Sequence, residues 1–281
     1  MLEEPGVPRF DFARPLGEPA LAPADGVSWR IFANPVALFV GGVAAVILEL
    51  ALPPVRAGVW EHSDFRRDPA GRLRRTGLAA MVTVYGARGP AAAMIAGVRR
   101  AHGRVEGQLP SGERYRANDP ALLRWVQATA VWGFASAYGR YAGPLDAAGF
   151  DRAFAEGAPA ARLYGVEEPP LSAQDWRALL ARTGPELEPS PVLAEFLRLM
   201  ADAPVLPRAL RPAQRLMVRG AVTLVPPALG KRLELPRGLR RGEGAVLRAL
   251  GALADRVDLP SAPPAQARRR VDADRGRPVV A

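Results

Sequence analysis

Apolar residues recur along this chain at spacings of three and four, without any sustained alternation, so the pattern predicts helices and no sheet. The most apolar run, PVALFVGGVAAVIL from Pro35 to Leu48, has about fourteen residues. That is short for a bilayer span and suits a buried core helix. Within it, Gly41-Gly42 would let another helix or a ligand approach the backbone. Glu49 closes the run, either turning out to solvent or held in an apolar setting as an acid–base group of raised pKa. Pro53-Pro54 reads as a break, followed by a loop through VWEHSDFRRDP. Asn118 or Asp119 then caps a helix with Pro120 in its first turn, reaching to about Tyr141. Its aromatic residues Trp125, Trp132, Phe134 and Tyr138 read as core. Shorter helices follow at about 146–156, after Ser172, at 190–202, at 212–225 and at 243–257, with a turn near 158–164. The class is all-α, a single large helical domain over 27–259. Residues 1–26 read as an extended arm, and 260–281 has the composition of a disordered basic tail.

The stretch from Arg72 to Gly107 carries the candidate chemistry. Asp68-Pro69 supplies an N-cap and first-turn proline, and Gly86 sits where a C′ glycine ends a helix. Pro90 falls in the first turn of the next helix. On that helix Ala91, Met94, Ile95, Val98, His102 and Val105 share one apolar face. On its predecessor Arg72, Thr76, Ala80 and Thr83 form a small, hydroxyl-bearing face. Facing helices of this kind leave room for something flat. The same spacing also fits a core histidine bonded to a carbonyl, with a solvated arginine and an ordinary helix threonine. The other histidine, His62, reads as a loop residue bonded locally.

Composition narrows the chemistry. The chain has 281 residues and no cysteine, which excludes disulfides, thiolate catalysis and iron–sulfur clusters. Two histidines leave only a mono-histidine cofactor or a carboxylate-held metal. The net charge is +10, and residues 56–116 hold twelve arginines against five acids. Such clustering suits an anionic ligand held by bidentate pairing. No basic segment precedes an apolar one at the start, so a secretory signal is not expected and the location is expected to be cytoplasmic. No transmembrane span is expected, though peripheral membrane contact is left open.

The run from about Trp60 to Gly165 resembles the MpaB-like oxygenase family, which includes the rubber oxygenases. The resembling pieces, in order, are DFRRDPAGRLRRT, VYG, VRRAHGRVEG, YRANDPALLRWVQAT and LYG. The resemblance implies an all-helical, globin-like protein that binds heme b and cleaves carbon–carbon double bonds with dioxygen. It puts His102 at the position of the proximal iron ligand and matches Arg72 and Thr76 to an Arg-x-x-x-Thr pair near the heme. Latex-clearing members place a lysine just before that threonine as a distal ligand; here the residue is Arg75, which cannot deprotonate to bind iron. Glu49 stands in for an upstream glutamate base, without clean alignment. The expected partners are an apolar unsaturated small molecule, isoprenoid or lipid, and dioxygen. Nucleic acid is not expected, and the oligomeric state is not legible. Two other readings fit the composition: a non-catalytic heme or small-ligand binder, and a basic helical nucleic-acid binder without cofactor.

Overall fold

The computed structural model describes residues 10–273. Thirteen α-helices account for nearly all regular structure among them. They are α1 (Val27–Ala33), α2 (Pro35–Ala51), α3 (Pro53–Glu61), α4 (Pro69–Tyr85), α5 (Arg88–His102), α6 (Pro120–Tyr141) and α7 (Ala147–Tyr164). The remainder are α8 (Ala173–Thr183), α9 (Pro191–Asp202), α10 (Arg211–Leu224), α11 (Pro227–Arg232), α12 (Glu243–Ala254) and α13 (Pro263–Asp272). The class is all-α. Helix starts are written locally: Asn34, Asp68, Asp119, Asp146, Ser172 and Ser190 each accept a backbone N–H of their own first turn. Proline follows at the start of α2, α4, α6 and α9, where a missing N–H costs nothing.

Five expectations are corrected. Pro53-Pro54 does not introduce a loop but opens α3, because a fixed φ suits the first helical turn. The helix from Ala147 does not stop before Pro159; burial of Ala158, Ala160 and Ala161 carries α7 through it to Tyr164. Gly86 caps α4 at φ −61°, an ordinary extended conformation. Its need is space, since a Cβ there would sit 2.5 Å from Val82 O and 3.0 Å from the Phe10 ring. A short antiparallel hairpin, β1 (Glu106–Gln108) and β2 (Arg114–Arg116), pairs Gly107 with Tyr115. Its turn passes through Gly112 at φ +91°, a left-handed value that favours glycine.

The fifth correction concerns the tail expected at 260–281. Residues 263–272 form α13, and Arg270 is fully buried. Its Nη1 donates to Phe12 O at 2.7 Å and its Nε to Glu18 O at 2.8 Å. Burying the guanidinium is made tolerable by backbone carbonyls of residues 10–26, which form no helix and accept from two of its three nitrogens, while Nη2 is buried without a partner. The rest of that expected tail, and residues 1–9 of the arm, lie outside the described residues.

The core is built around α2 and α6, which pack antiparallel and more extensively than any other pair. They cross at Gly41 and Gly133. A Cβ on Gly41 would stand 2.7 Å from both Gly133 O and Phe134 Cα, so backbone meets backbone with no side chain between. Around this crossing Trp125 and Trp132 of α6 each stack on Trp176 of α8, at 5.7 and 5.5 Å. Among the described residues no single helix is long and apolar enough to cross a membrane. α1 and α2 reach that length only together, and they meet at 98°. Gly41→Ala should therefore destabilise the fold by roughly 1–3 kcal/mol, the usual cost of overpacking a filled core. Urea unfolding checks this, and wild-type stability would mean that the crossing can widen freely.

Candidate active site

Helices α4 and α5 form a hairpin whose turn lies at Gly86-Ala87, fastened to Ala20 by an isolated bridge. Arg72 lies fourteen residues before Gly86 and His102 fifteen after Ala87. At about 1.5 Å per residue both stand roughly 20 Å from the turn, so the open end of the hairpin brings them to one level. α2 delivers the third group. Its antiparallel packing on α6 sets its last turn beside the first half of α6, where Trp125 Nε1 donates to Leu48 O at 3.2 Å. One residue on, Glu49 Oε1 lies 3.2 Å from Thr129 Oγ1.

Glu49, Arg72 and His102 come from three helices, and the charge of Arg72 acts on both Glu49 and His102. Burial raises the Glu49 pKa to about 7, against the pull of the Thr129 hydrogen bond and the Arg72 charge. By surface Glu49 is only half-buried. Protein nonetheless crowds its carboxylate, and that crowding governs its proton affinity. Burial also pushes His102 below the usual histidine range, helped by Arg72, so its imidazole is held neutral. Arg72 is pressed down by burial and by Arg75, while Glu49 and Asp64 pull the other way. Thr129 Oγ1 has one proton and lies within reach of both Glu49 Oε1 and Val126 O, the latter at 2.9 Å. It can donate to Glu49 when that group is ionised. It can equally donate to Val126 O while accepting from a protonated Glu49, so both protonation states have a partner.

The remaining candidates fall less compactly. On α5, Ala91 and Ile95 are buried whereas Met94, Val98 and His102 are half-buried; the helix ends at His102, so Val105, expected on the same face, lies beyond it. On α4, Arg72, Ala80 and Thr83 are half-buried and Thr76 is exposed. At neighbouring Gly77 no atom lies within 4 Å of where a Cβ would stand, so this part of α4 faces open space. Arg75 turns to Asp68 and Asp64, at 3.6 and 3.9 Å. His62 does not bond locally. Its Nε2 lies 3.2 Å from the Tyr115 hydroxyl on β2, which also donates to Glu61. His62 lines a polar cleft of about 950 Å³ with Trp60, Asp64, Arg66, Glu195 and Arg198, and neither His102 nor Glu49 lines that cleft. Much of the arginine cluster is answered by distant acids, as in Arg56–Glu188 and Arg66–Glu195.

Sequence reasoning missed Thr129 and Tyr164. The Thr83 hydroxyl donates to Ala79 O, leaving it to accept from Tyr164 at 3.2 Å. A tyrosine from the end of α7 thus closes one end of the α4 face that starts at Arg72. The LYG piece contained it, but nothing local to that triplet shows that it reaches α4.

Among the described residues no group of three or more His, Cys, Asp or Glu could hold a metal ion. A metal here would have to arrive with most of its ligands. The residues fit a cofactor of that kind: His102 Nδ1 is shut off from solvent with no hydrogen-bond partner, the ring is neutral, and α4 is open beside Gly77. The model of the catalytic domain of the ER-bound oxygenase mpaB/B′ and rubber oxygenase family matches residues 29–256. The chain belongs to that family. It therefore carries an oxygenase catalytic domain, and the match takes in Glu49, Thr129 and the whole α4–α5 hairpin. No curated protein and no solved structure matches the chain.

The Glu49 environment gives this oxygenase-family chain a pH-dependent stability of known sign. A carboxyl raised from 4.5 to about 7 holds its proton in the folded state and loses it in the unfolded state between those values. Stability from this group is complete below about pH 4.5, falls as pH rises, and is lost above about 7, at a cost of roughly 3 kcal/mol at most. Glu49→Gln should flatten that decline and raise the unfolding midpoint at pH 8. An unchanged pH profile of thermal unfolding would show that Glu49 ionises as freely folded as unfolded.

Proposed function

We propose that this chain is a heme b-dependent oxygenase that uses dioxygen on an apolar, unsaturated small molecule such as an isoprenoid or lipid. One observation carries the reading: a single guanidinium, Arg72, acts on both a carboxyl raised to about 7 and an imidazole pushed below its usual range, beside an open, small-residue helix face. His102 would hold the iron, since a neutral ring nitrogen is the form that ligates it. Arg72 would pair with an anionic edge of the cofactor, where a charge-assisted bond gains strength from burial. Heme, when bound, supplies the activation of dioxygen. Everything else is done by side chains of this chain. Half-buried Met94 and Val98 offer an apolar wall that excludes water from a hydrocarbon. Thr76 presents its hydroxyl on the open side of α4. Glu49 can accept or return a proton near neutral pH, with Thr129 partnering either state.

Heme content and oxygen uptake test this together. Purified protein should show a Soret band, and it should consume oxygen when supplied with an unsaturated isoprenoid or lipid. His102→Ala should lose most of the heme and with it the uptake, whereas His62→Ala, placed in a different cleft, should keep both. Heme retained in full with an unchanged spectrum in His102→Ala would remove that residue as ligand. Protein that takes up no heme at all would overturn the reading.

A further inference from the structure

Helix α5, which carries His102 as its last residue, starts without a cap of its own. Ala87 stands in the N-cap place and makes no side-chain bond. Its core packing is thin as well: of fifteen residues only Ala91 and Ile95 are buried, and none after them. The first backbone N–H groups of a helix have no partner inside it and must find acceptors elsewhere. Here residues 10–26 supply them. Pro19 O accepts from Arg88 N at 2.9 Å, and Glu18 Oε1 accepts from Gly89 N at 2.5 Å. The carboxylate also faces the positive end of the helix dipole.

Glu18 is itself held from α13. Its carbonyl accepts from Arg270 Nε at 2.8 Å, Phe12 O accepts from Arg270 Nη1 at 2.7 Å, and Gly17 N donates back to Arg270 O at 2.9 Å. These bonds bracket Glu18 between α13 and the first turn of α5. One small apolar cluster covers the junction, in which Phe12, Ala20, Trp29 and Ala267 pack with Val82 and Tyr85 at the end of α4. A fully buried guanidinium holds this geometry tightly, because shifting it would leave carbonyls and N–H groups unpaired away from water. Residues 10–26 and α13 both lie outside the stretch 29–256 that matches the catalytic domain.

We propose that Glu18, fixed by Arg270, is a positioning residue for the candidate site: its carboxylate sets the entry of α5, and the helix carries that setting to His102. Over a length of about 20 Å, a tilt of about 3° at the capped end moves the other end by about 1 Å. A displacement of that size at a reacting centre costs on the order of a hundredfold in rate. The clasp of α13, Glu18 and α5 stands on its own bonds, whereas its effect on heme rests on the reading of His102 as the iron ligand.

The chain has two histidines, so imidazole NMR of the full chain without heme, assigned with His62→Ala, reads His102 directly. Glu18→Ala should shift or broaden the His102 signals and leave those of His62 in place. In the same variant deuterium uptake should rise about fivefold in the first turns of α5, the effect of a lost helix cap, while α2 and α6 keep their protection. Glu18→Gln retains an acceptor oxygen and should restore both patterns. Arg270→Met should reproduce Glu18→Ala, and if it fails to fold the two Glu18 variants decide alone. Added heme should bind Glu18→Ala several-fold more weakly than the wild type, because the site is no longer pre-set. Wild-type His102 signals and α5 exchange in Glu18→Ala, or in a folded Arg270→Met, would overturn the proposal. So would a rise in exchange shared equally by α2 and α6, or a Glu18→Gln variant no better than Glu18→Ala. Protein that binds no heme, yet whose His102 signals move in Glu18→Ala and return in Glu18→Gln, would support the clasp and sink the heme reading instead.

Discussion

Two helices with no side chain at their crossing can approach until one backbone rests on the other, and this molecule is built on such a contact. Gly41 of α2 and Gly133 of α6 are its two halves. The close approach lets the flanking side chains interlock along both helices, so register is fixed as well as distance. Toward one end it places the N-cap Asn34 where its Nδ2 reaches Gly251 O of α12. Toward the other it sets Leu48 O against Trp125 and Glu49 against Thr129. A carboxylate carried into that position meets protein rather than water, and its affinity for a proton rises.

The electrostatics of the candidate site follow from this placement. Desolvation acts on all three ionisable groups, raising Glu49 and lowering Arg72 and His102, and in each it is the largest influence. Arg72 offsets part of the burial cost of Glu49 and adds to the tendency of His102 to stay neutral. One guanidinium thus moves a carboxyl down and an imidazole down by the same field, and only the carboxyl gains charge from it. The hairpin of α4 and α5 makes this possible because its two open ends arrive at one level.

What the sequence made legible was local. Asp68, Asp119, Ser172 and Ser190 announced their helices because a cap is written within four residues. The apolar face of α5 and the core role of Trp125 and Trp132 followed from spacing, and the family resemblance found in the quoted pieces agrees with the match over 29–256. The missed features depend on distant partners. Arg270 looks solvated by composition and is buried because carbonyls some 250 residues away receive it. The strands EGQ and RYR show no apolar alternation, since Tyr115 alone among their six residues is buried. Gly86 resembled a left-handed cap, but the reason for a glycine there is the close approach of Val82 O and the Phe10 ring. Glu49 could be flagged by its apolar neighbours, though its partner Thr129 lies eighty residues on and no local pattern selects it.

The central claim is that Glu49 and Arg72 share one desolvated space. Infrared difference spectroscopy, with Glu49→Gln subtracted to isolate the carboxyl band, tests it most directly. In the wild type a protonated carboxyl should persist through pH 6 and disappear around pH 7, as its raised pKa requires. In Arg72→Ala the same band should survive to higher pH, because the cation that lowers the Glu49 pKa has gone. A band that titrates in the ordinary carboxylate range, or one that Arg72→Ala leaves in place, would contradict the account.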